Sequence, residues 1–290
     1  MWTDITQNIA QTLQEKVEFL QAQSFGGGCI NQGYLLETNL GKYFVKINQA
    51  RGLEMFQAEM LGLQQIHSTK TIRVPQPICT GQSGDKAYLV MEWLDLGGTG
   101  AWRQMGRNLA YLHQYPIENL GMPMAFGWER ENTIGSTPQI NPWTSNWTEF
   151  FAEYRIAHQL KLAKKKGGSF PSVEQVIAIV HRCLEDHDPQ PSLVHGDLWG
   201  GNGGITQEGI PVIFDPATYV GDREVDLAMT KLFGGFPPEF YQGYGEILPL
   251  GAGHRETLYN LYHILNHFNL FGGAYGTQAN RMIQHLMQVY

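Results

Sequence analysis

LVHGDLWGGNGGITQEGIPVIFDPATYVGDREVD, residues 193–226, carries a pattern with a geometry of its own. An apolar pair, Leu193-Val194, delivers His195-Gly196-Asp197, and Asn202 follows five positions after Asp197. Gly203–Thr206 outward, Gln207-Glu208-Gly209 as the turn and Ile210–Phe214 in return predict a hairpin ending on Asp215. Folding about Glu208 brings Asn202 and Asp215 to one end, within cross-strand reach, with Asp197 one short loop away. Gly200, Gly201, Gly203 and Gly204 keep that volume uncrowded.

Two carboxylates and an amide converging on one small volume suit phosphoryl transfer. That chemistry uses an Asp to take the acceptor's proton, an Asn after four intervening residues to help hold Mg²⁺, and a second Asp after a return strand for the metal on the ATP phosphates. Asp197-x-x-x-x-Asn202 and Phe214-Asp215-Pro216 fit, with His-Gly-Asp for His-Arg-Asp and Asp-Pro for Asp-Phe-Gly. Both departures resemble the small-molecule branch (aminoglycoside and choline kinases) rather than the protein kinases. A His-Asp pair holding a metal hydroxide for hydrolysis is the competing chemistry. The upstream sequence separates the two.

Upstream, Ser24 to Gly33 is glycine-rich (Gly26, Gly27, Gly28, Cys29, Ile30, Asn31) and leads into strand-like Tyr34–Thr38 and Tyr43–Asn48 about a turn at 39–42. Such a bend can offer successive N–H groups to a phosphate chain, although it is no Walker A sequence. Phe44-Val45-Lys46-Ile47 puts a lysine in an apolar strand, where an ammonium needs a partner. Glu59 supplies one, on a helical run with Met55, Phe56, Met60, Leu63 and Ile66. The order glycine loop, Lys46, Glu59, Asp197, Asn202, Asp215 favours kinase chemistry over hydrolysis. Ala87–Leu94 reads as a strand running into Gly97-Gly98, a hinge at about 91–97 where the Glu92 carbonyl and Leu94 N–H would meet an adenine edge.

Elsewhere the pattern is helical. Asp4 and Gln7 suggest a capping box before Ile5, Ile9, Leu13 and Val17, and Ser172 with Gln175 suggests another before Val173–Leu184. Further stripes are Trp102–Leu112, Phe150–Ala157, Leu227–Phe233, Leu258–Phe268 and Met282–Met287. Asp226 is read as an anchor between a helix start and the catalytic loop. Residues 121–147 lack periodicity; such a length implies a site wall or a core cover, and Trp128, Trp143 and Trp147 suit either.

Composition bounds the rest. A chain of 290 residues, 42% hydrophobic and 16% charged, has ample core material for one large or two small domains. A net charge of −7 argues against nucleic acid, and Lys164-Lys165-Lys166 reads as a solvated helix end. No apolar run nears the ~20 residues needed to span a bilayer, and MWTDITQNIA has no signal pattern. Cys29, Cys79 and Cys183 lack metal or disulfide spacing, so a reducing cytoplasm is expected.

Taken together, these pieces resemble the fructosamine kinase (ketosamine 3-kinase) family. The resemblance rests on the 26–31 loop, Phe44-Val45-Lys46, Leu89–Glu92, Gly127-Trp128 to Trp143, His195–Trp199, Phe214–Ala217, Arg223–Met229 and Leu258–Asn266. It covers almost the whole chain. One departure is Gly200, where Ser is common in the family. The resemblance implies an α+β, bilobal protein-kinase-like fold: a small antiparallel-sheet lobe at 1–94 and a larger, mainly helical lobe at 95–290. It implies ATP- and Mg²⁺-dependent phosphorylation of the 3-hydroxyl of fructose-, ribulose- or erythrulose-amines, free or protein-bound; beside it, a monomer or weak homodimer without nucleic-acid or membrane partners is expected. By transfer, Asp197 is the base and Asn202 and Asp215 hold Mg²⁺. Lys46, braced by Glu59, holds the α- and β-phosphates, while His195 orients the loop. Trp199, Asp222 and Glu224 are the acceptor-side candidates. Cys29 is either a redox-sensitive thiol of the phosphate loop or a small buried filler. The rivals are an aminoglycoside or choline-type phosphotransferase and a catalytically silent nucleotide-binding module.

Overall fold

The structure, a computed structural model, describes residues 1–26 and 30–290. It contains two compact units, Met1–Ala101 with Gly203–Pro216, and Trp102–Asn202 with Ala217–Tyr290. Residues 203–216 thus group with the first unit, whereas the sequence reading begins its second lobe at residue 95 and keeps them there.

The first unit is an antiparallel sheet with two helices. In chain order it runs α1 (Trp2–Leu13), β1 (Phe19–Ser24), β2 (Gln32–Thr38), β3 (Gly41–Gln49), α2 (Leu53–Thr69), β4 (Pro77–Ser83) and β5 (Lys86–Glu92). The strand order is β1-β2-β3-β5-β4, so β3 lies at the centre and pairs with both β2 and β5. Alternation along β3 buries Tyr43, Val45 and Ile47 against Ile5 and Ile9 of α1, with Leu36, Cys79, Tyr88 and Val90 completing that core. The intervening positions of β3 face the other way, which is why Lys46 is free to meet α2.

Two details of α1 differ from the expected capping box. The helix begins at Trp2, so Asp4 lies inside its first turn and receives the Ser83 hydroxyl instead of capping. It ends at Gln14, which adopts a left-handed conformation (φ 56°), leaving Val17 beyond it. Strand β1 was not expected at all.

The 203–216 segment forms the expected hairpin, Gly203–Ile205 against Pro211–Ile213, with Gly209 at φ 80° in the turn. It joins the first unit through Gly97 and Gly98, whose N–H groups both donate to the Ile205 carbonyl at 3.1 Å. A Cβ on Gly98 would stand 1.9 Å from the Thr206 carbonyl oxygen, so only glycine permits this approach.

The second unit is mainly helical. It comprises α3 (Trp102–His113), α4 (Trp147–Phe151), α5 (His158–Lys165), α6 (Val173–Cys183), α7 (Glu224–Leu232), α8 (Pro238–Gly245), α9 (Glu256–Phe271) and α10 (Ala274–Val289). A π-helical segment, Ala152–Ala157, links α4 to α5, and α6 carries the expected Ser172–Gln175 capping box. Buried Leu258, Leu261, Tyr262 and Leu265 make α9 the central helix of this unit. Helices α3 and α8 meet backbone to backbone: a Cβ on Gly106 or Gly243 would lie 1.9 Å from a carbonyl oxygen of the other helix.

The 121–147 stretch is a core cover where Trp128 and Trp147 are concerned, while Trp143 is only partly buried. Trp128 and Trp147 are buried, and the Trp147 Nε1–H donates to Tyr259 Oη at 3.1 Å. The stretch contains one short ladder, Asn132–Ile134 with Thr137–Gln139, whose buried amides interlock. Gln139 and Asn141 both donate to Asn132 Oδ1, at 2.9 and 2.8 Å, and Arg155 donates to Asn141 Oδ1 at 2.8 Å. Among the described residues no helix is long and apolar enough to cross a membrane.

Candidate active site

In the first unit the site is built around Lys46. Its ammonium lies 2.5 Å from Glu59 Oε1 and 2.6 Å from Asp215 Oδ1, so strand β3, helix α2 and the end of the 203–213 hairpin meet on one nitrogen. Burial works against the charge of Lys46, but the Asp215 and Glu59 carboxylates outweigh it and hold the lysine above its ordinary pKa. It is a fixed cation. Burial raises the Glu59 carboxyl, with the Lys46 charge opposing it. Asp215 has φ 58°, one of three non-glycine residues with positive φ among those described. Aspartate tolerates that region better than most side chains, yet the conformation is costly and persists where surrounding structure imposes it.

Other predicted nucleotide-side residues lie in the same unit. Gly26 has φ 72°, and Asn31 Oδ1 accepts from Asn48 Nδ2 at 2.7 Å, tying the end of the loop to β3. Gly27, Gly28 and Cys29 lie outside the described residues. The Glu92 carboxylate accepts from Arg73 Nη2 at 2.6 Å and from the Gln76 N–H at 3.2 Å. Leu94 follows β5 and is partly exposed.

In the second unit the site is the 195–202 loop. Strand Ser192–Val194 pairs with Tyr219–Gly221 and carries the chain into His195. The loop hangs from one carboxylate. Asp226, fully buried in the first turn of α7, accepts the His195 N–H at 2.7 Å and the Gly196 N–H at 2.8 Å. His113 Nε2 lies 3.1 Å from the same carboxylate. Burial would raise this carboxyl, but the His113 hydrogen bond, the nearby imidazoles and the Gly196 N–H hold it below its usual value. The anchoring role read for Asp226 is what the structure shows. Gly196 has φ 82°, and a Cβ there would stand 2.2 Å from the Ala217 carbonyl oxygen.

Asp197 follows, its side chain 23% exposed. His195 Nδ1 accepts the Asp197 N–H at 3.2 Å, which fixes the step between them. Asn202 Nδ2 donates to the Asp197 carbonyl at 2.8 Å and to its Oδ2 at 3.3 Å. With its nitrogen so used, the oxygen of Asn202 is the atom a cation would take. Mg²⁺ favours oxygen donors, and in the first unit, taken by itself, the partly exposed Asp215 carboxylate is another such donor. The donor chemistry therefore fits the ion. His263, on α9, places Nδ1 3.9 Å from Asp197 Oδ1. Neither His113 nor His263 is singled out by the sequence reading, since each lies within a helical stripe that looks like plain core.

Two acceptor-side candidates have their carboxylates engaged by other side chains. Asp222 is buried, receiving His187 Nε2 at 2.7 Å, the Tyr259 hydroxyl at 2.5 Å and the Glu224 N–H at 3.0 Å. Glu224 is gripped by Arg255 through both oxygens, at 2.7 and 2.9 Å. Their carboxylates are engaged within the protein. His187, Asp222 and Glu224 do bring three possible metal ligands within 4.8 Å of one another, but the Arg255 guanidinium already neutralises Glu224. Trp199 differs: it is 37% exposed and stands edge-on to Phe233, leaving ring surface open to a ligand.

The family model for fructosamine kinases matches residues 1–289. The chain belongs to the fructosamine kinase family. It is 54% identical over 292 residues to a Synechocystis protein named "Probable ketoamine kinase", covering 99% of this chain and 97% of that one. It is 41% identical over 273 residues to a chloroplastic protein-ribulosamine 3-kinase of Arabidopsis thaliana, covering 92% of this chain and 82% of that one. A crystal structure from Haemophilus somnus, named as a fructosamine-3-kinase, aligns over 99% of this chain and 98% of that one, at TM-score 0.92 and 31% identity. The fold of this family member is protein-kinase-like and α+β, as its sequence implies.

Proposed function

We propose that the protein is an ATP-dependent ketosamine 3-kinase, and that Asp197 is its general base. The supporting observation is Lys46, buried and paired with both Glu59 and Asp215. A lysine braced by a helix glutamate is what this chemistry needs to hold the α- and β-phosphates. Asn202 and Asp215 are the residues that would hold Mg²⁺. When bound, the ion neutralises charge on the β- and γ-phosphate oxygens.

The protein's own contribution is then orientation and one proton transfer. Asp226 holds the loop backbone, His195 fixes the peptide that carries Asp197, and the Asp197 carboxylate accepts the proton of the acceptor's 3-hydroxyl. That oxygen attacks the γ-phosphorus as the bond to the β-bridging oxygen breaks, giving the 3-phosphate and ADP. The exposed ring of Trp199 offers an apolar face to the sugar.

Family membership supports ketosamines over other alcohols. A phosphate at C3 lies β to the C2 carbonyl and is a good leaving group, so the product can eliminate phosphate and free the amine. That is the basis for proposing a role in deglycation.

The test is Asp197→Asn, with phosphate transfer measured from ATP to fructose-, ribulose- and erythrulose-amines, an aminoglycoside and choline. We expect the variant to lose about 10²–10⁴-fold in kcat while ATP binding persists. We expect parental transfer to a ketosamine and none to the other alcohols. A variant as active as the parent removes Asp197 from the mechanism.

A further inference from the structure

His263 is buried on α9, its side chain 4% exposed, and its Nδ1 has no hydrogen-bond partner among the described residues. Buried polar atoms are ordinarily paired, and an orphan of this kind calls for an explanation. Asp197 Oδ1 lies 3.9 Å from that atom. That is too long for a hydrogen bond, and about 1 Å of movement makes one. The other carboxylate oxygen, Oδ2, already receives Asn202.

Charge decides what kind of contact this can be. Burial is the largest influence on His263, and with the neighbouring His267 and Arg155 it outweighs the favourable Asp226, pushing the imidazole down to about 3. The ring is neutral at physiological pH and offers a donor without a cation. A lysine or arginine in its place would pull the basicity of the Asp197 carboxylate down.

We propose that His263 is a positioning residue for phosphoryl transfer: its Nδ1–H closes onto Asp197 Oδ1 and holds the carboxylate in the orientation that takes the acceptor's proton. The imidazole keeps its own proton throughout, and the proton of the hydroxyl goes to Asp197. The inference rests on Asp197 being the base.

Three substitutions separate this role from packing. Asn presents its amide N–H near the place of Nδ1, Gln presents its amide nearer the place of Nε2, and Leu offers no donor. His263→Leu and His263→Gln should lose about ten- to a hundredfold in kcat with KM for ATP unchanged. Their acid limb of kcat should move to higher pH, because the carboxylate in the closed complex has lost a donor that favours its ionised form. His263→Asn should keep both kcat and the position of that limb. If the Leu variant does not fold, the Asn and Gln pair carries the comparison.

Parental kcat and pH profile in the Leu or Gln variant overturn the proposal, as does an equal loss in all three with the limb unmoved. Asp197→Asn is assayed alongside. If it is as active as the parent, the base itself is misassigned; if it is inactive while the His263 variants are parental, only the role of His263 fails.

Discussion

Replacing Asp226 by asparagine tests how the 195–202 loop is held. The aspartate offers two anionic oxygens to three donors: Oδ2 to the His195 N–H and His113 Nε2, and Oδ1 to the Gly196 N–H. Asparagine keeps only one of those oxygens. In its better orientation the amide oxygen takes the Oδ2 position and keeps two bonds, while the NH₂ group points at the Gly196 N–H. One charge-assisted bond is lost, about 1.5–3 kcal/mol, and two buried donors face each other without an acceptor, about 1–3 kcal/mol more. Together these come to about 2.5–6 kcal/mol, which brackets the roughly 3–5 kcal/mol expected for breaking a buried charged contact from one side.

At roughly 2–4 °C per kcal/mol for chains of this size, the midpoint of thermal unfolding should fall by about 6–20 °C. The pH dependence is a second readout. The folded carboxyl of Asp226 titrates below its unfolded value of 3.8. Its contribution is therefore complete above 3.8 and is lost as pH falls through the lower folded value. The stability gap between parent and variant should be constant near neutrality and close in acid. Differential scanning calorimetry and circular dichroism across pH measure both. A variant within about 1 kcal/mol of the parent at neutral pH, with a gap that does not narrow in acid, refutes the reasoning.

Two further outcomes follow from burial elsewhere. Arg155→Lys should destabilise the second unit by about 3–5 kcal/mol, seen as a lower thermal midpoint, because a lysine cannot span the set of partners the guanidinium serves. Those are the carbonyls of Ile140 and Tyr154, Asn141 Oδ1, and the rings of Phe150 and Tyr219 at 4.5 and 4.2 Å. Burial pushes the Cys79 thiol up to about 12 and the Cys183 thiol up to about 11. Iodoacetamide at mildly alkaline pH should therefore spare both in the native protein and modify both in concentrated guanidinium, as peptide mass spectrometry will show.

The parts of the site readable from sequence are those whose partners lie close in sequence or in a regular repeat. The 203–213 hairpin was legible because a glycine-containing turn separates two short alternating runs. The pairing of Lys46 with Glu59 was legible because a charge in an apolar strand demands a counter-charge. The engagement of Asp222 and Glu224 is not legible in the sequence because the groups that occupy them, Tyr259 and Arg255, lie 37 and 31 residues further along the chain, and no local pattern signals that. His263 escaped notice for the same reason. Strand β1 was missed because it is mostly exposed, with Phe19 and Leu20 both facing out, so it shows no burial alternation. Helix α8 was missed because its sequence, PEFYQGYG, contains two glycines that weaken its helical signature; one of them, Gly243, is what lets it lie against α3.

The discontinuity of the first unit bears on how the protein is made. The chain leaves that unit at Ala101 and returns to it only at Gly203. During synthesis the sheet and α2 emerge first, but Asp215, one of the two carboxylates on Lys46, is not available until nearly three quarters of the chain has left the ribosome. Until then the lysine has Glu59 alone. A nascent chain or a fragment ending near residue 101 would leave Lys46 without Asp215 and the Gly97 and Gly98 N–H groups without their Ile205 acceptor. Expression trials should keep residues 203–216 joined to the unit they belong to.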